Sequence, residues 1–371
     1  MYTSGTTGKP KGCILSHSYE INAGLGYIKK KGLISIKSSE EKIYNCLPIH
    51  HVNAGVLSFF AVLLSGNCQI QAQRFSSSMF WKDIKLSKAT IFHYLGVIVS
   101  ILLKKNKSSY ERNNNLRLGV GAGIEPHHHK LFEKRFGIPM VELWGMTEMV
   151  RCIFDHKKNR KIGIRCFGKS DKTLETKVIN TEGKTIINKP GDFLIRHNKK
   201  DPKKGVFSGY LKDKKSTDRV WKDGWFHTGD IVKKDIKGNL FFIDRKKSII
   251  RRAGENISAT EVESTLLSLP YILNCAVIAI PHALYEEEVL AFITLKNKRL
   301  INKLIVERIM FYVSKKLAYF KLPCYIQFIK NIPKTSTEKN KKNELHIKID
   351  KSNESIFFDV SELKNKMKVI T

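Results

Sequence analysis

The sequence predicts an α/β protein in two parts, and three observations predict it. Between Lys42 and Trp144, short apolar runs alternate with segments of helical periodicity, the pattern of a parallel sheet with crossover helices. From Gly168 the pattern changes to short strands parted by Thr-Glu-Gly, Lys-Asp-Gly and Lys-Gly-Asn turns, which reads as a small, mostly antiparallel β unit. After Asp244 a compact module follows in the order helix, strand, strand, helix, strand, an α+β arrangement.

Taken in order, the first dozen residues are a Gly/Thr/Ser/Lys loop, followed by a helical segment from Ser18 to Lys30. Ile43–Leu47, Gln69–Ala72 and Thr90–Tyr94 read as strands, and Val52–Leu64 and Met79–Ser87 as helices. Leu116–Gly121 and Pro139–Trp144 continue the sheet around a helix at His127–Phe136. Thr176–Ile179, Phe193–Arg196, Ile231–Asp235 and Leu240–Asp244 are the strands of the β unit. The last module reads as Ala259–Leu269 helix, Ile272–Ile280 and Val289–Leu295 strands, Leu304–Leu317 helix and Tyr325–Ile329 strand. Residues 331–343 are polar and loop-like, and 346–371 read as a tail. The domains are therefore 1–244, 248–345 and the tail, the first two joined through residues 245–247.

Composition narrows the classes. The 371 residues carry a formal charge of +32 with 42% hydrophobic residues, enough for a sizeable core. The basic residues are spread along the whole chain rather than gathered on one face or arm, which argues against a dedicated nucleic-acid role. No apolar run reaches the length of a membrane span, and the N-terminus has no basic region followed by an apolar core. Seven scattered cysteines form no Cys-x-x-Cys pair, so reduced thiols and a cytoplasmic protein are expected.

Thr3-Ser-Gly-Thr-Thr-Gly-Lys-Pro-Lys-Gly12 carries the most chemistry. Its glycines allow close backbone approach, its free N–H groups and hydroxyls can nest an anion, and Lys9 and Lys11 add charge. The spacing is not that of the ordinary P-loop. Tyr2–Gly12 resembles the signature loop of the adenylate-forming superfamily, which comprises acyl-CoA synthetases, luciferases and peptide-synthetase adenylation domains. The resemblance runs in order to about Leu345. Within that superfamily the chain looks most like carnitine/crotonobetaine-CoA ligases, through His51-Val-Asn-Ala, Phe80-Trp-Lys-Asp-Ile, Arg251-Arg-Ala-Gly-Glu-Asn-Ile-Ser and Phe320-Lys-Leu-Pro-Cys-Tyr.

The resemblance implies an adenylation domain with incomplete parallel sheets and a mobile C-terminal α+β domain. It gives ATP contacts to Thr3, Ser4, Gly5, Thr6, Thr7, Gly8 and Lys9. Gly121, Gly123 and Ile124, in a strand-to-helix turn, would line the adenine pocket. In Leu143-Trp-Gly-Met-Thr-Glu148, Trp144 would lie against adenine beside Gly145 and Met146, Thr147 near the α-phosphate, and Glu148 on Mg²⁺. Asp230, just before a strand, would accept from the ribose hydroxyls, with Arg245 as a second contact. Lys339 is the expected catalytic lysine, stabilising charge as the carboxylate meets the α-phosphate. Glu338 replaces the family's glycine there, and Lys334, Lys341 and Lys342 are rivals for the register. Lys247 matches the hinge, Gly254, Glu255 and Asn256 the region that faces the site in the CoA step, and His51 the acyl pocket. His50 and His51 read equally well as turn residues, and His127–His129 as an exposed helix start in preference to a metal site.

The reaction so implied is ligation of a small carboxylic acid to CoA through an acyl-adenylate, using ATP and Mg²⁺. Alternatives are delivery to a carrier-protein thiol, or a nucleotide-binding remnant without turnover. Family members carry the phosphate loop after about 150 residues or more, a typical domain length. Here it starts at residue 2, so a missing front part, an absent preceding strand and impaired activity are expected.

Overall fold

In the computed structural model the described residues are 1–3, 10–335, 339–354 and 356–367. Ser4, Gly5, Thr6, Thr7, Gly8 and Lys9 lie outside them, as do residues 336–338. The chain divides into two compact units, Met1–Phe242 and Ile243–Thr371.

The first unit begins with β1 (Tyr2–Thr3) and β2 (Lys11–Ile14), an antiparallel pair that brackets the glycine-rich loop. A two-residue strand thus precedes the loop where the sequence predicts none; two residues are too few to show a period. Helix α1 (His17–Ile28) follows, its first turn capped by Ser16 Oγ, which accepts from Tyr19 N. Then come β3 (Lys42–Asn45), α2 (Phe59–Leu64), β4 (Cys68–Gln71), α3 (Phe80–Ser87), β5 (Ile91–Leu95), α4 (Gly96–Lys104), β6 (Leu118–Ala122), α5 (Pro126–Phe136), β7 (Met140–Met146) and β8 (Met149–Phe154). Their sheet runs in the order β4-β3-β5-β6-β7-β8, parallel except for the final β7–β8 hairpin.

Two differences from expectation have local causes. Val52–Leu64 is not one α-helix: Asn53–Ser58 is a π-helical turn leading into α2. The Asn45 amide donates to both Asn53 Oδ1 and Ser58 Oγ, five residues apart, each at 3.0 Å, which matches the wider π repeat. Helix α4 starts directly at the end of β5 with no intervening loop, so strand and helix merge into one apolar run in the sequence.

The β unit contains β9 (Cys166–Gly168), β10 (Glu175–Ile179), β11 (Pro190–Arg196), β12 (Gly209–Tyr210), α6 (Lys214–Val220), β13 (Trp221–Lys222), β14 (Trp225–Lys234) and β15 (Leu240–Arg245). Its sheet has the order β10-β11-β14-β15-β9, while β12 pairs with β2. Trp144, Phe193, Phe226 and Leu240 share its apolar core. Fully burying a side chain of this size contributes about 1.5–3 kcal/mol.

The second unit opens with a hairpin absent from the sequence reading, β16 (Ile249–Arg252) and β17 (Glu255–Ser258). It continues through α7 (Ala259–Leu267), β18 (Ile272–His282), β19 (Glu286–Leu295), α8 (Lys303–Ser314), β20 (Tyr325–Phe328), β21 (Phe357–Asp359) and α9 (Ser361–Met367). The sheet order is β17-β16-β19-β20-β21, with β18 also on β19. The segment set apart as a tail thus supplies a sheet strand, and Val360 and Met367 enter the core with Ile309 and Phe328. A three-residue strand and a seven-residue, lysine-rich helix give too little apolar periodicity to be read in sequence.

Candidate functional site

Strand β7 and its turn carry the densest set of candidate residues. Met146 pairs with Met149, so Thr147 and Glu148 form the two-residue turn between β7 and β8. The turn is held from two sides. The Tyr19 hydroxyl, on α1, donates to the Thr147 carbonyl at 2.7 Å. The Phe207 amide donates to the Glu148 carbonyl at 3.1 Å. Glu148 is buried, and its Oε1 accepts from the Tyr210 hydroxyl at 2.7 Å. Burial, then the Glu148 charge, pushes the Tyr210 phenol well above its usual pKa, so it stays a donor.

Tyr210 also links this acid to the glycine-rich loop. Lys11 Nζ lies 5.0 Å from the Tyr210 ring centre, donates to Ser216 Oγ at 2.5 Å and stands 3.6 Å from Asp213 Oδ2. The Cys13 thiol, two residues on, is pushed up to about 12 by burial and by Glu148. Thr3 Oγ1 reaches the Lys11 carbonyl at 3.5 Å across the β1–β2 pair. Tyr210 gives no motif of its own in the sequence; the only signal is its place after a Phe-Ser-Gly turn.

Asp230 sits inside β14, not ahead of a strand as its Gly-Asp context predicts. Leu194 pairs with His227 and Asp192 with Ile231, so three residues of β14 oppose one of β11. This bulge is made possible by Gly229 at φ 74°, and such bulges re-aim neighbouring side chains. Thr228 Oγ1 donates to the Phe193 carbonyl at 2.8 Å and accepts from the Asp230 amide at 3.1 Å. Asp230 is 1% exposed, and its Oδ2 accepts from Trp144 Nε1 at 2.7 Å. Trp144, expected to offer a face to a base, is 4% exposed, with Phe167 stacked at 6.2 Å and Phe193 edge-on at 5.0 Å. In this arrangement the indole packs the core and orients an acid. Gly145 packs against Cys152, since a Cβ there would lie 2.6 Å from its sulfur. Met146 is half-buried beside the same core.

The turn at Gly121–Ile124 is clamped. Gly121 pairs with Tyr94 one residue before the end of β6, and Gly123 follows in the left-handed region at φ 79°. The Gly123 amide donates to Glu142 Oε2 at 3.1 Å and the Ile124 amide to Oε1 at 3.0 Å. The Ile124 side chain points into the apolar core rather than to a ligand. Opposite, a Cβ on Gly96 would fall 1.6 Å from the Gly123 carbonyl oxygen, so only glycine fits. Burial raises the Glu142 carboxyl to about 7, opposed by His129, Arg165 and the two amides. Glu142 was missed in sequence because a lone acid inside an apolar strand carries no motif.

Two histidines of α5 pack inside the fold. His128 and His129 are buried, contrary to the exposed helix start expected; His128 Nδ1 meets Ser100 Oγ at 2.8 Å and His129 Nε2 the Met140 carbonyl at 3.1 Å. His51 caps the π-helical turn, Nδ1 accepting from the Asn53 amide at 3.3 Å. Asn53 in turn meets His93 Nδ1 at 2.7 Å, and burial drops His93 to about 3, so this network is neutral.

The remaining candidates belong to the second unit, described by itself. Asp244 caps α7, accepting from Ser258 Oγ at 2.7 Å and the Thr260 amide at 2.9 Å, and its Oδ1 accepts from the Arg245 amide at 2.7 Å. Lys247 is exposed in a 3-10 turn at Lys246–Ser248. Gly254 lies at the tip of the β16–β17 hairpin, with Glu255 and Asn256 exposed on β17. Lys339 is exposed at the base of a loop closed by Thr335 N to Lys339 O at 2.8 Å and Lys339 N to Thr335 Oγ1 at 3.1 Å. Two rival lysines are committed elsewhere: Lys342 to Glu263 at 2.7 Å and Lys341 to Glu344 at 2.8 Å.

The fold is shared with solved nucleotide-bound enzymes. ATP-bound MatB from Rhodopseudomonas palustris has a TM-score of 0.81 at 23% identity, over 94% of this chain and 67% of that one. The O-succinylbenzoate coenzyme A synthetase of Bacillus subtilis in complex with AMP gives 0.77 at 23% identity, over 93% and 68%. Residues 1–211 match the AMP-binding enzyme family and residues 261–339 the AMP-binding enzyme C-terminal domain. The chain belongs to the AMP-binding enzyme family.

Among curated relatives, the sulfoacetate–CoA ligase of Cupriavidus necator is 28% identical over 339 residues, covering 90% of this chain. The crotonobetaine/carnitine–CoA ligase of Escherichia coli O157:H7 is 25% identical over 343 residues, covering 91%. The chain spans 64% of the length of each of these relatives.

Proposed function

We propose that this chain carries the nucleotide-handling and thioester-forming machinery of a cytoplasmic, AMP-forming acyl-CoA ligase. The observation that carries the reading is the convergence on β7: Trp144 tethers Asp230 at 2.7 Å, and four residues on, Glu148 meets Tyr210 beside Lys11 at the exit of the glycine-rich loop. Two acids and a phosphate-type loop served by one strand end suit a nucleoside triphosphate. Relatives whose names are CoA ligases support the acceptor.

On this reading the Thr3–Lys9 loop grips the triphosphate, Thr147 donates to the α-phosphate, and Asp230 and Arg245 hold the ribose. The backbone of Gly121–Ile124 and of Trp144–Met146 lines the base. Glu148 offers a hard carboxylate oxygen, and Mg²⁺ is commonly held by one or two carboxylates plus phosphate oxygens, so the residue fits the ion. When bound, the ion neutralises phosphate charge. Among the described residues no group of three or more His, Cys, Asp or Glu could hold a metal by itself. The substrate carboxylate oxygen attacks the α-phosphorus and pyrophosphate leaves, while Lys339 balances the developing charge. The CoA sulfur then attacks the acyl carbon, AMP leaves, and the thiol proton passes to solvent. The second step uses the Gly254–Asn256 tip, after rotation about Lys247. His51 borders the acid pocket.

The test is pyrophosphate exchange with ATP, Mg²⁺ and a panel of carboxylic acids headed by sulfoacetate and carnitine, followed by thiol transfer. Exchange and CoA thioester formation support the proposal. Transfer only to a phosphopantetheine carrier moves the chain to adenylation enzymes. ATP binding with no exchange on any acid makes it a nucleotide-binding remnant and refutes the proposal.

A further inference from the structure

A buried charge cluster in the second unit lies outside every motif used above. Glu288 on β19 is 1% exposed. Its Oε1 accepts from Arg252 Nε at 2.5 Å, and its Oε2 accepts from Lys364 Nζ at 2.9 Å and the Val289 amide at 3.1 Å. Both carboxylate oxygens are therefore engaged, each by a different cation. Lys364 comes from α9 and is itself 1% exposed. Burial lowers its pKa, with Arg252 adding to the fall and Glu288 opposing it. Two basic side chains thus meet on one buried acid, an arrangement that costs desolvation, with the Tyr285 and Tyr319 rings packed beside them.

Arg252 is the last residue of β16, immediately before the hairpin tip. Ala253 and Gly254 make the turn with φ of 48° and 81°. Positive φ at both central residues defines a tight hairpin turn that favours Asn or Gly, and Ala253 is neither. The tip is held in this form from the side by the segment 285–288. The Ala253 amide donates to the Tyr285 carbonyl at 3.1 Å, and the Arg251 amide to Glu287 Oε2 at 2.7 Å. The Arg252 guanidinium lies 4.3 Å from the Tyr285 ring centre while bound to Glu288.

We propose that Glu288 is a positioning residue for thioester formation: through Arg252 it fixes the 253–256 tip, and Lys364 of the C-terminal helix balances its charge. This rests on the reading of that tip as the part that serves the CoA step. Adenylation does not use the tip, so the two half-reactions separate the role from general stability.

The decisive protein is the full chain with Glu288→Met and Lys364→Met together, which keeps the cluster's net charge and leaves Arg252 no acceptor at residue 288. Pyrophosphate exchange should stay within about twofold, while CoA thioester formation falls about tenfold to a hundredfold, the cost of misplacing a reacting group. Amide hydrogen exchange at Arg251 and Ala253 should quicken by about tenfold or more, since local opening is read there. Lys364→Met alone keeps the Arg252–Glu288 bond and should leave both half-reactions and both amides near the parent. Equal loss of the two half-reactions in the double variant, unchanged exchange at both amides, or Lys364→Met matching the double variant would each overturn the proposal. If the parent shows no pyrophosphate exchange, the functional reading fails, and the amide measurement still judges the tether by itself.

Discussion

Replacing Trp144 by Phe removes the indole donor from Asp230 while leaving an aromatic ring in the core. A hydrogen bond to a charged group contributes about 1.5–3 kcal/mol, and leaving the partner buried costs toward the top of that range. Asp230 is 1% exposed, so water cannot replace the 2.7 Å bond cheaply. The smaller ring adds a cavity term of about 1 kcal/mol between Phe167 and Phe193. The expected loss is about 3 kcal/mol in all. For a unit of this size that is roughly a 6–12 °C drop in its melting transition. Part of that loss is packing, so the informative quantity is the coupling in a double-mutant cycle with Asp230→Asn. Circular dichroism melts and urea titrations of the four proteins should give a coupling of about 1.5–3 kcal/mol. The same cycle read by ATP binding should show Trp144→Phe weakening affinity, because the acid loses its orientation. Additive losses within about 0.5 kcal/mol would refute the view that Trp144 acts through Asp230.

Three further outcomes follow from single contacts. Gly96→Ala forces a Cβ onto the Gly123 carbonyl, nominally 1.6 Å away, and should destabilise the first unit by about 1–3 kcal/mol while raising the KM for ATP, read by melts and exchange kinetics. Glu142 is raised by burial to about 7 from 4.5, so the unfolded chain releases its proton first as pH rises. The stability of the parent relative to Glu142→Gln should therefore fall between pH 4.5 and about 7, by up to about 3 kcal/mol, and stay level above, as urea midpoints would report. Lys247→Pro should damage thioester formation more than pyrophosphate exchange; equal damage to both counts against a hinge there.

The fold was legible where a period had room to repeat. Strands β3 to β7 and helices α1, α3 and α5 lie near their expected bounds because short runs alternating with helical repeats mark them. What escaped was set by contacts distant in sequence. The π turn at Asn53–Ser58 depends on an asparagine from the neighbouring strand, and α4 is hidden because Leu95 passes straight into Gly96. The β16–β17 hairpin has only four residues per strand, and its turn residues, Ala253-Gly254, lack the usual Asn-Gly signal.

The site divides in the same way, by whether chemistry sits in consecutive residues. Thr147 and Glu148 are neighbours in one turn, so the sequence names both. Tyr210, which holds Glu148, is 62 residues away, and Glu142 is 18 and 19 residues from the amides it binds. The buried orientation of Trp144 follows from the same limit: an aromatic residue before Gly-Met-Thr-Glu reads as a ligand platform until Phe167, Phe193 and Asp230 arrive from other strands. A polar side chain that positions another across the fold has no motif, because its partner is fixed by packing rather than by spacing. For that reason the Arg252–Glu288–Lys364 cluster, spanning 36 and 76 residues, could emerge only from three dimensions.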